Sequence, residues 1–240
     1  MDVRSLYVEP ERADREIEWP ALECVDVFRI FRSGPVETVA LRGFDLRVER
    51  QEFVAVLGPS GCGKSTMLAL AAGLDQPSAG EVRAFGRSLS RLDEQALAAY
   101  RARDVAIVFQ SDNLWPSLSA EENVAAGLRL AGWSKGAGSV ARSALAAFGL
   151  AERGSHRVGE LSGGEQQRVA VAAAAAREAP LVLADEPTGE LDETNERTVI
   201  DALERLRHDY GSTVLVVTHS ERVAAAADRV VEVLDGKVLP

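Results

Sequence analysis

The stretch Gly58 to Thr66, GPSGCGKST, constrains this chain more than any other. It follows the apolar run Phe53-Val54-Ala55-Val56-Leu57 and precedes the helix-forming Met67 to Ala72, so the order is strand, glycine-rich loop, helix. Gly58, Gly61 and Gly63 let successive backbone N–H groups turn inward, and the helix behind them aims its positive end at the same point. A polyphosphate fits such a nest. Pro59, Ser60, Cys62 and Thr66 complete the loop, Lys64 brings a full charge toward β- and γ-phosphates, and Ser65 offers a hydroxyl to a phosphate-bound magnesium.

At 240 residues the chain is long enough to bury one large α/β core with an inserted subdomain. Its formal charge of −10, with no basic block, argues against nucleic acid or anionic lipid as the main partner. Of its two cysteines, Cys24 and Cys62, one lies inside the phosphate loop, where a disulfide would obstruct a nucleotide; a reducing cytoplasm is expected. Met1 to Glu18 is a charged mixture without the apolar core of a signal peptide, and the longest apolar run near the middle, Val169 to Ala176, is far below the ~20 residues that span a bilayer. A membrane role would have to come through a partner.

Along the chain, residues 1–20 are expected to form a flexible lead-in to a domain over 21–240. Ala21 to Phe31 and Val39 to Val48 are β-prone and suggest an antiparallel pair, followed by a short strand over Gly80 to Gly86. Asp93 to Arg103 is helical in pattern, and Val105 to Phe109 is a buried-type strand ending at Gln110. A helical subdomain is expected over about 111–172, with a capping box at Ser119 and Glu122 and a helix over Ala141 to Phe148 after a loop near Lys135 to Gly138. Leu181 to Ala184 is a strand ending in Asp185-Glu186, and Asp192 is a good N-cap for a helix to about Arg207. Thr213 to Val217 is a further strand ending at Thr218-His219, with a hairpin around Asp235-Gly236 beyond it.

Asp185 ends an apolar strand far downstream of the loop, where a carboxylate can hold magnesium while Glu186 polarises an attacking water. Leu161-Ser162-Gly163-Gly164-Glu165-Gln166-Gln167-Arg168, between the loop and Asp185, resembles the signature motif of ATP-binding-cassette ATPases, and the likeness extends over Ala21 to Leu239. The resemblance implies an α/β fold with a P-loop NTPase core, an N-terminal antiparallel β subdomain and an inserted helical subdomain. It also implies ATP with Mg2+, and two cassettes paired head to tail so that Ser162, Gly163, Gly164 and Gln166 of one close over the nucleotide of the other. By the same resemblance Gln110 reaches the metal and the water, His219 contacts the γ-phosphate, Asp192 crosses the dimer interface and Phe31 stacks on adenine. The chain departs from the pattern at Glu190, where many relatives have alanine or asparagine, and at Ala173, where they have arginine. Glu190 would place extra negative charge near the γ-phosphate and slow dimer closure.

The branch that Val36 to Gly43 and Asp185 to Gly189 resemble includes lipoprotein-release, macrolide-efflux and cell-division cassettes. It implies an ATPase peripheral on the inner face of the cell membrane, working with a separate transmembrane permease whose cytoplasmic helix docks near Gln110 to Leu118, against Trp115 and Pro116. An ATP-gated scaffold without transport stays open as the alternative.

Overall fold

The computed structural model describes residues 18–34, 36–133 and 135–239. Two sheets carry the domain. The first is antiparallel, with strands in the order β2 (Val36–Val48), β1 (Leu22–Ser33), β4 (Ala79–Ala84), β5 (Arg87–Ser88). Phe44, Leu46 and Val48 are buried while Asp45 and Arg47 between them are exposed, the alternation of a sheet with one wet face. The second sheet runs β10 (Lys237–Val238), β9 (Arg229–Leu234), β3 (Phe53–Leu57), β8 (Thr213–Thr218), β7 (Leu181–Asp185), β6 (Val105–Val108). All its pairings are parallel except β10 with β9. Its central strands are buried on both faces, so they lack polar alternation.

Successive residues of these strands feed opposite cores. Leu181, Leu183, Leu215 and Val217 pack with α1 (Lys64–Ala71) and the antiparallel sheet. Val182, Ala184, Val214 and Val216 pack with α5 (Gly163–Ala176), α6 (Glu193–Tyr210) and a helical region holding α3 (Ala120–Leu130) and α4 (Ala137–Ala147). Two further α-helices are α2 (Glu94–Arg103) and α7 (Glu221–Ala226). Because β3, β6, β7 and β8 are parallel, the residues that follow them meet along one edge: the glycine loop, Gln110, Glu186 and His219.

Several boundaries differ from the sequence expectations for local reasons. α4 begins at Ala137 rather than Ala141, because Gly136 takes φ 76° as N-cap and the Ser139 hydroxyl donates to its carbonyl at 2.8 Å. α5 begins at Gly163 rather than near Glu165, because Ser162 is the cap. α6 runs on to Tyr210 until Gly211, at φ 69°, turns the chain left-handed. Residues 1–17 of the expected lead-in lie outside the described residues; Pro20 is buried and the ring of Trp19 lies against Gly86. Among the described residues no helix is long and apolar enough to cross a membrane.

Candidate phosphate-binding site

The loop between β3 and α1 is held from two sides. Gly61 and Gly63 have φ +79° and +106°, conformations a side chain would strain. A Cβ on Gly58 would lie 2.3 Å from the Val233 carbonyl oxygen of β9, and one on Gly63 would lie 2.5 Å from the Ala40 oxygen of β2. Gly236, in the β9–β10 turn, donates its N–H to the Cys62 carbonyl and accepts one from Arg42, both at 2.9 Å. Cys62 is buried and in no disulfide, with its Sγ 3.9 Å from Lys64 Nζ. Lys64 is also buried, its Nζ donating inward to the carbonyls of Gly58 at 2.7 Å and Pro59 at 3.0 Å.

In front of the loop lies a cavity of about 740 Å³, lined by Ser60, Gly61, Lys64, Ser65, the Phe109 to Asp112 segment, Asp185, Glu186 and His219. The Ser65 hydroxyl donates to Asp185 Oδ1 at 3.2 Å. Burial pushes the Asp185 carboxyl above its ordinary value, with the Ser65 bond pulling the other way. A hydroxyl and a half-buried carboxylate side by side form a hard-oxygen pair, which fits magnesium and not a soft metal. No cluster of three or more His, Cys, Asp or Glu able to hold a metal unaided occurs among the described residues. A cation here would therefore take further oxygens from phosphate and water.

Glu186 has φ 46°, left-handed and costly for a residue with a side chain. Its N–H donates to the Val217 carbonyl at 2.9 Å, and its Oε2 accepts from His219 Nδ1 at 2.9 Å and from the His219 backbone N–H at 3.2 Å. The strain therefore aims the carboxylate across the sheet edge at His219.

Gln110 lines the same cavity, but its Nε2 donates to Glu190 Oε1 at 3.2 Å. The backbone around it is clamped by two amides that sequence reasoning did not single out: Gln167 Nε2 donates to the Phe109 and Gln110 carbonyls, and Asn113 Nδ2 donates to Gln167 Oε1 at 3.0 Å. An amide on the helix after a glycine pair and an asparagine just past a strand end were visible, but their meeting needs the fold. Glu190, expected to add charge near the phosphate, accepts this bond from Gln110, a residue of the cavity lining.

The signature residues lie elsewhere. None of Ser162, Gly163 and Gly164 lines the 740 Å³ cavity. Ser162 caps α5 by accepting from the Glu165 N–H at 3.3 Å, and Glu165 returns the bond to the Ser162 N–H. Gln166 Nε2 donates to the Val158 and Leu161 carbonyls and so fixes the entry to the helix. Gly164 is closely packed: a Cβ there would lie 2.5 Å from Asn195 Oδ1. Asn195 in turn donates from its N–H and side chain to Asp192, which caps α6 and has its carboxyl held below the ordinary range by these bonds. Thr66 sits behind the loop, outside the cavity lining. Phe31 is 43% exposed on β1, does not line the cavity, and has the Arg29 guanidinium 4.5 Å above its ring.

Comparisons with known proteins identify the chain's relatives. The family described as ABC transporter matches residues 41–189. The lipoprotein-releasing system ATP-binding protein LolD of Chromohalobacter salexigens is 43% identical over 230 residues, covering 95% of this chain and 96% of that protein. The macrolide export ATP-binding/permease protein MacB of Hyphomonas neptunium is 44% identical over 225 residues, but the chain spans only 34% of its length. Among solved structures, an ATP-binding cassette dimer in a post-hydrolysis state with ADP and Pi superposes with a TM-score of 0.84 at 36% identity, covering 91% of this chain and 97% of that one.

Proposed function

The chain belongs to the ABC transporter family, and we propose that it is the ATP-hydrolysing subunit of a membrane assembly, driven by pairing of two cassettes around ATP. The observation that carries this reading is a division of labour: Lys64, Ser65, Asp185, Glu186 and His219 meet in one cavity, while Ser162 to Gly164 lie outside it. One chain thus offers half of two sites. The loop amides receive the β- and γ-phosphates, and Lys64 exchanges the Gly58 and Pro59 carbonyls for phosphate oxygens. Ser65 and Asp185, with Gln110 once it leaves Glu190, are the groups that would hold Mg2+, which supplies charge neutralisation on the phosphates. Glu186 takes the proton from the attacking water, and His219, at its carboxylate, faces the γ-phosphate. Phe31 offers its exposed ring to adenine.

The helical segment, about 111–172, is the subdomain that carries the signature toward the second cassette, and Asp192, beside it through Asn195, approaches the same interface. The match to nearly all of a protein named as the ATP-binding protein of a lipoprotein-releasing system supports a separate permease, docked at the Trp115 and Pro116 segment and holding this chain at the inner membrane face.

Mixing two inactive variants tests the composite site. Lys64→Ala damages the phosphate half and Ser162→Arg the signature half, so each homodimer is dead, but a mixed dimer contains one intact site. Phosphate release should return on mixing. Failure of mixed chains to recover any activity would place both halves within one chain and overturn the reading.

A further inference from the structure

The two residues set at the γ-phosphate, Glu186 and His219, stand on separate segments, and each segment carries a hydroxyl just beyond them. Glu186 opens a turn in which the Gly189 N–H donates to its carbonyl at 3.1 Å, and the buried Thr188 lies inside that turn. His219 is followed by Ser220, the cap of α7. Both hydroxyls reach one carboxylate oxygen, Oε1 of Glu196 in the first turns of α6: Ser220 Oγ donates to it at 2.5 Å and Thr188 Oγ1 at 3.5 Å.

The direction of these bonds is fixed. Ser220 Oγ accepts the Val223 N–H at 3.4 Å, so its single proton is left for Glu196. The second oxygen of Glu196 accepts from Arg222 Nη1 at 3.0 Å, while Arg222 Nη2 donates to Glu193. The Glu196 side chain is only 13% exposed, against 54% for Arg222 and 79% for Glu193. The Ser220 bond, with Arg222 assisting and burial opposing, holds the Glu196 carboxyl below its ordinary range, so it is ionised at neutral pH. The exposed part of this network contributes little, but hydrogen bonds to a charged, largely buried group are among the stronger ones.

The catalytic pair needs such an anchor. The His219 side chain is 69% exposed and meets Glu186 through Nδ1, and Glu186 itself keeps a left-handed backbone, which persists only where its surroundings over-determine it. We propose that Glu196 is a positioning residue for hydrolysis: by bonding Thr188 and Ser220 to one oxygen, it sets the reach between the Glu186 carboxylate and the His219 imidazole. The proposal rests on the hydrolytic reading above and adds to it a carboxylate outside the 740 Å³ cavity lining. Loss of this tie leaves the phosphate loop, Ser65 and Asp185 in place, so the chemical step suffers and nucleotide capture does not.

Three variants of the full chain separate this role from plain stability. Glu196→Leu removes the shared acceptor and should lower kcat for ATP hydrolysis about tenfold or more, with Mg-ATP affinity by isothermal titration unchanged within about twofold. Glu196→Gln keeps an oxygen for the two hydroxyls while losing the Arg222 ion pair, and should retain most of the kcat. Ser220→Ala breaks the tie from the other end; it should match Glu196→Leu and supplies the reading if that variant does not fold. The chain has three histidines, so proton NMR follows each imidazole, with the His219 signal identified by its loss in His219→Gln. That signal should move in Glu196→Leu and Ser220→Ala and stay in Glu196→Gln, while those of His156 and His208 stay in all three. An unmoved His219 signal in folded Glu196→Leu, or in Ser220→Ala where Glu196→Leu does not fold, would overturn the proposal. So would an equal loss of kcat in Glu196→Gln and Glu196→Leu, or a loss of Mg-ATP affinity as large as the loss of kcat. Absence of hydrolysis in the parent chain would sink the functional reading instead, and the His219 signal would then decide the tie alone.

Discussion

The phosphate loop and the signature segment are both glycine-containing turns that open a helix, yet they are finished in opposite ways. Ahead of α1 the loop has no side-chain cap, Gly63 is pressed against β2 and Gly58 against β9, and the Gly58 and Pro59 carbonyls hold Lys64. Ahead of α5 the Glu165 amide is already served by Ser162, Glu165 is tied back to the cap and to Arg153, and Ser162 and Gly163 face solvent. The first is a socket whose walls come from distant parts of the same chain. The second is a capped helix start whose exposed residues, Ser162 and Gly163, lie outside the 740 Å³ cavity. Similar local sequence therefore gives receptor and lid, and tertiary packing decides which.

The sharpest way to break this comparison is to remove chemistry from the socket alone. Glu186→Gln should lower phosphate release by about 10²- to 10⁴-fold, the range for a lost general base, while an ATP-bound dimer accumulates in size-exclusion chromatography. Next, Lys64→Ala should weaken ATP binding to the isolated chain by about 10- to 100-fold, from a charge-assisted bond worth about 1.5–3 kcal/mol. Ser162→Ala should leave that affinity unchanged, lower the melting temperature through the loss of about 1 kcal/mol of capping, and weaken ATP-driven dimerisation. If Ser162→Ala weakened ATP binding to the monomer as much as Lys64→Ala does, the receptor–lid distinction would be lost.

pH separates the regions less strongly. Burial raises the Asp185 carboxyl, so the fold favours its protonated form; that contribution is present below the unfolded pKa and is lost as pH rises through the folded one. Metal-assisted nucleotide binding needs the ionised form and should weaken on acidification before an ordinary aspartate would protonate. Asp192 is shifted downward, so its cap contributes above the unfolded pKa and is lost only as pH falls through the lower folded value. Isothermal titration with Mg-ATP across the acidic range should show the first effect while far-UV dichroism of α6 stays flat. The smallest effect is expected from Glu190→Ala. Freeing Gln110 from its bond should tighten Mg-ATP binding by a few-fold, about the value of one exposed hydrogen bond, and Gln110→Ala should erase the difference.

Much of this was legible in the sequence because the signals are local. The strand-loop-helix of residues 53–72, the capping box at Ser119 and the cap at Asp192 each depend on neighbours within a few positions, and the structure has all of them. Asp185, Glu186 and His219 could be placed at one edge because their strands are apolar and parallel. What could not be read was pairing across distance. The Gln167 and Asn113 clamp, the Glu190 bond and the bonds from the Arg177 guanidinium to the Arg101, Ala102 and Val105 carbonyls join residues dozens to scores of positions apart, and no periodicity encodes them. Phe31 shows the same limit, since an exposed aromatic at a strand end does not reveal that an arginine lies over it.

The buttress behind the phosphate loop also has a meaning in time. Gly58 leans on Val233, and Cys62 is bonded to Gly236, so the loop's final shape needs residues that leave the ribosome about 170 positions later. At roughly 5–20 residues per second that is a delay of about ten to thirty seconds, during which the nascent chain holds the complete GPSGCGKST text without its rear wall. Tight nucleotide capture is thereby deferred until β9 and β10 have closed against β3, and a chain stalled before them would carry the motif without a finished socket.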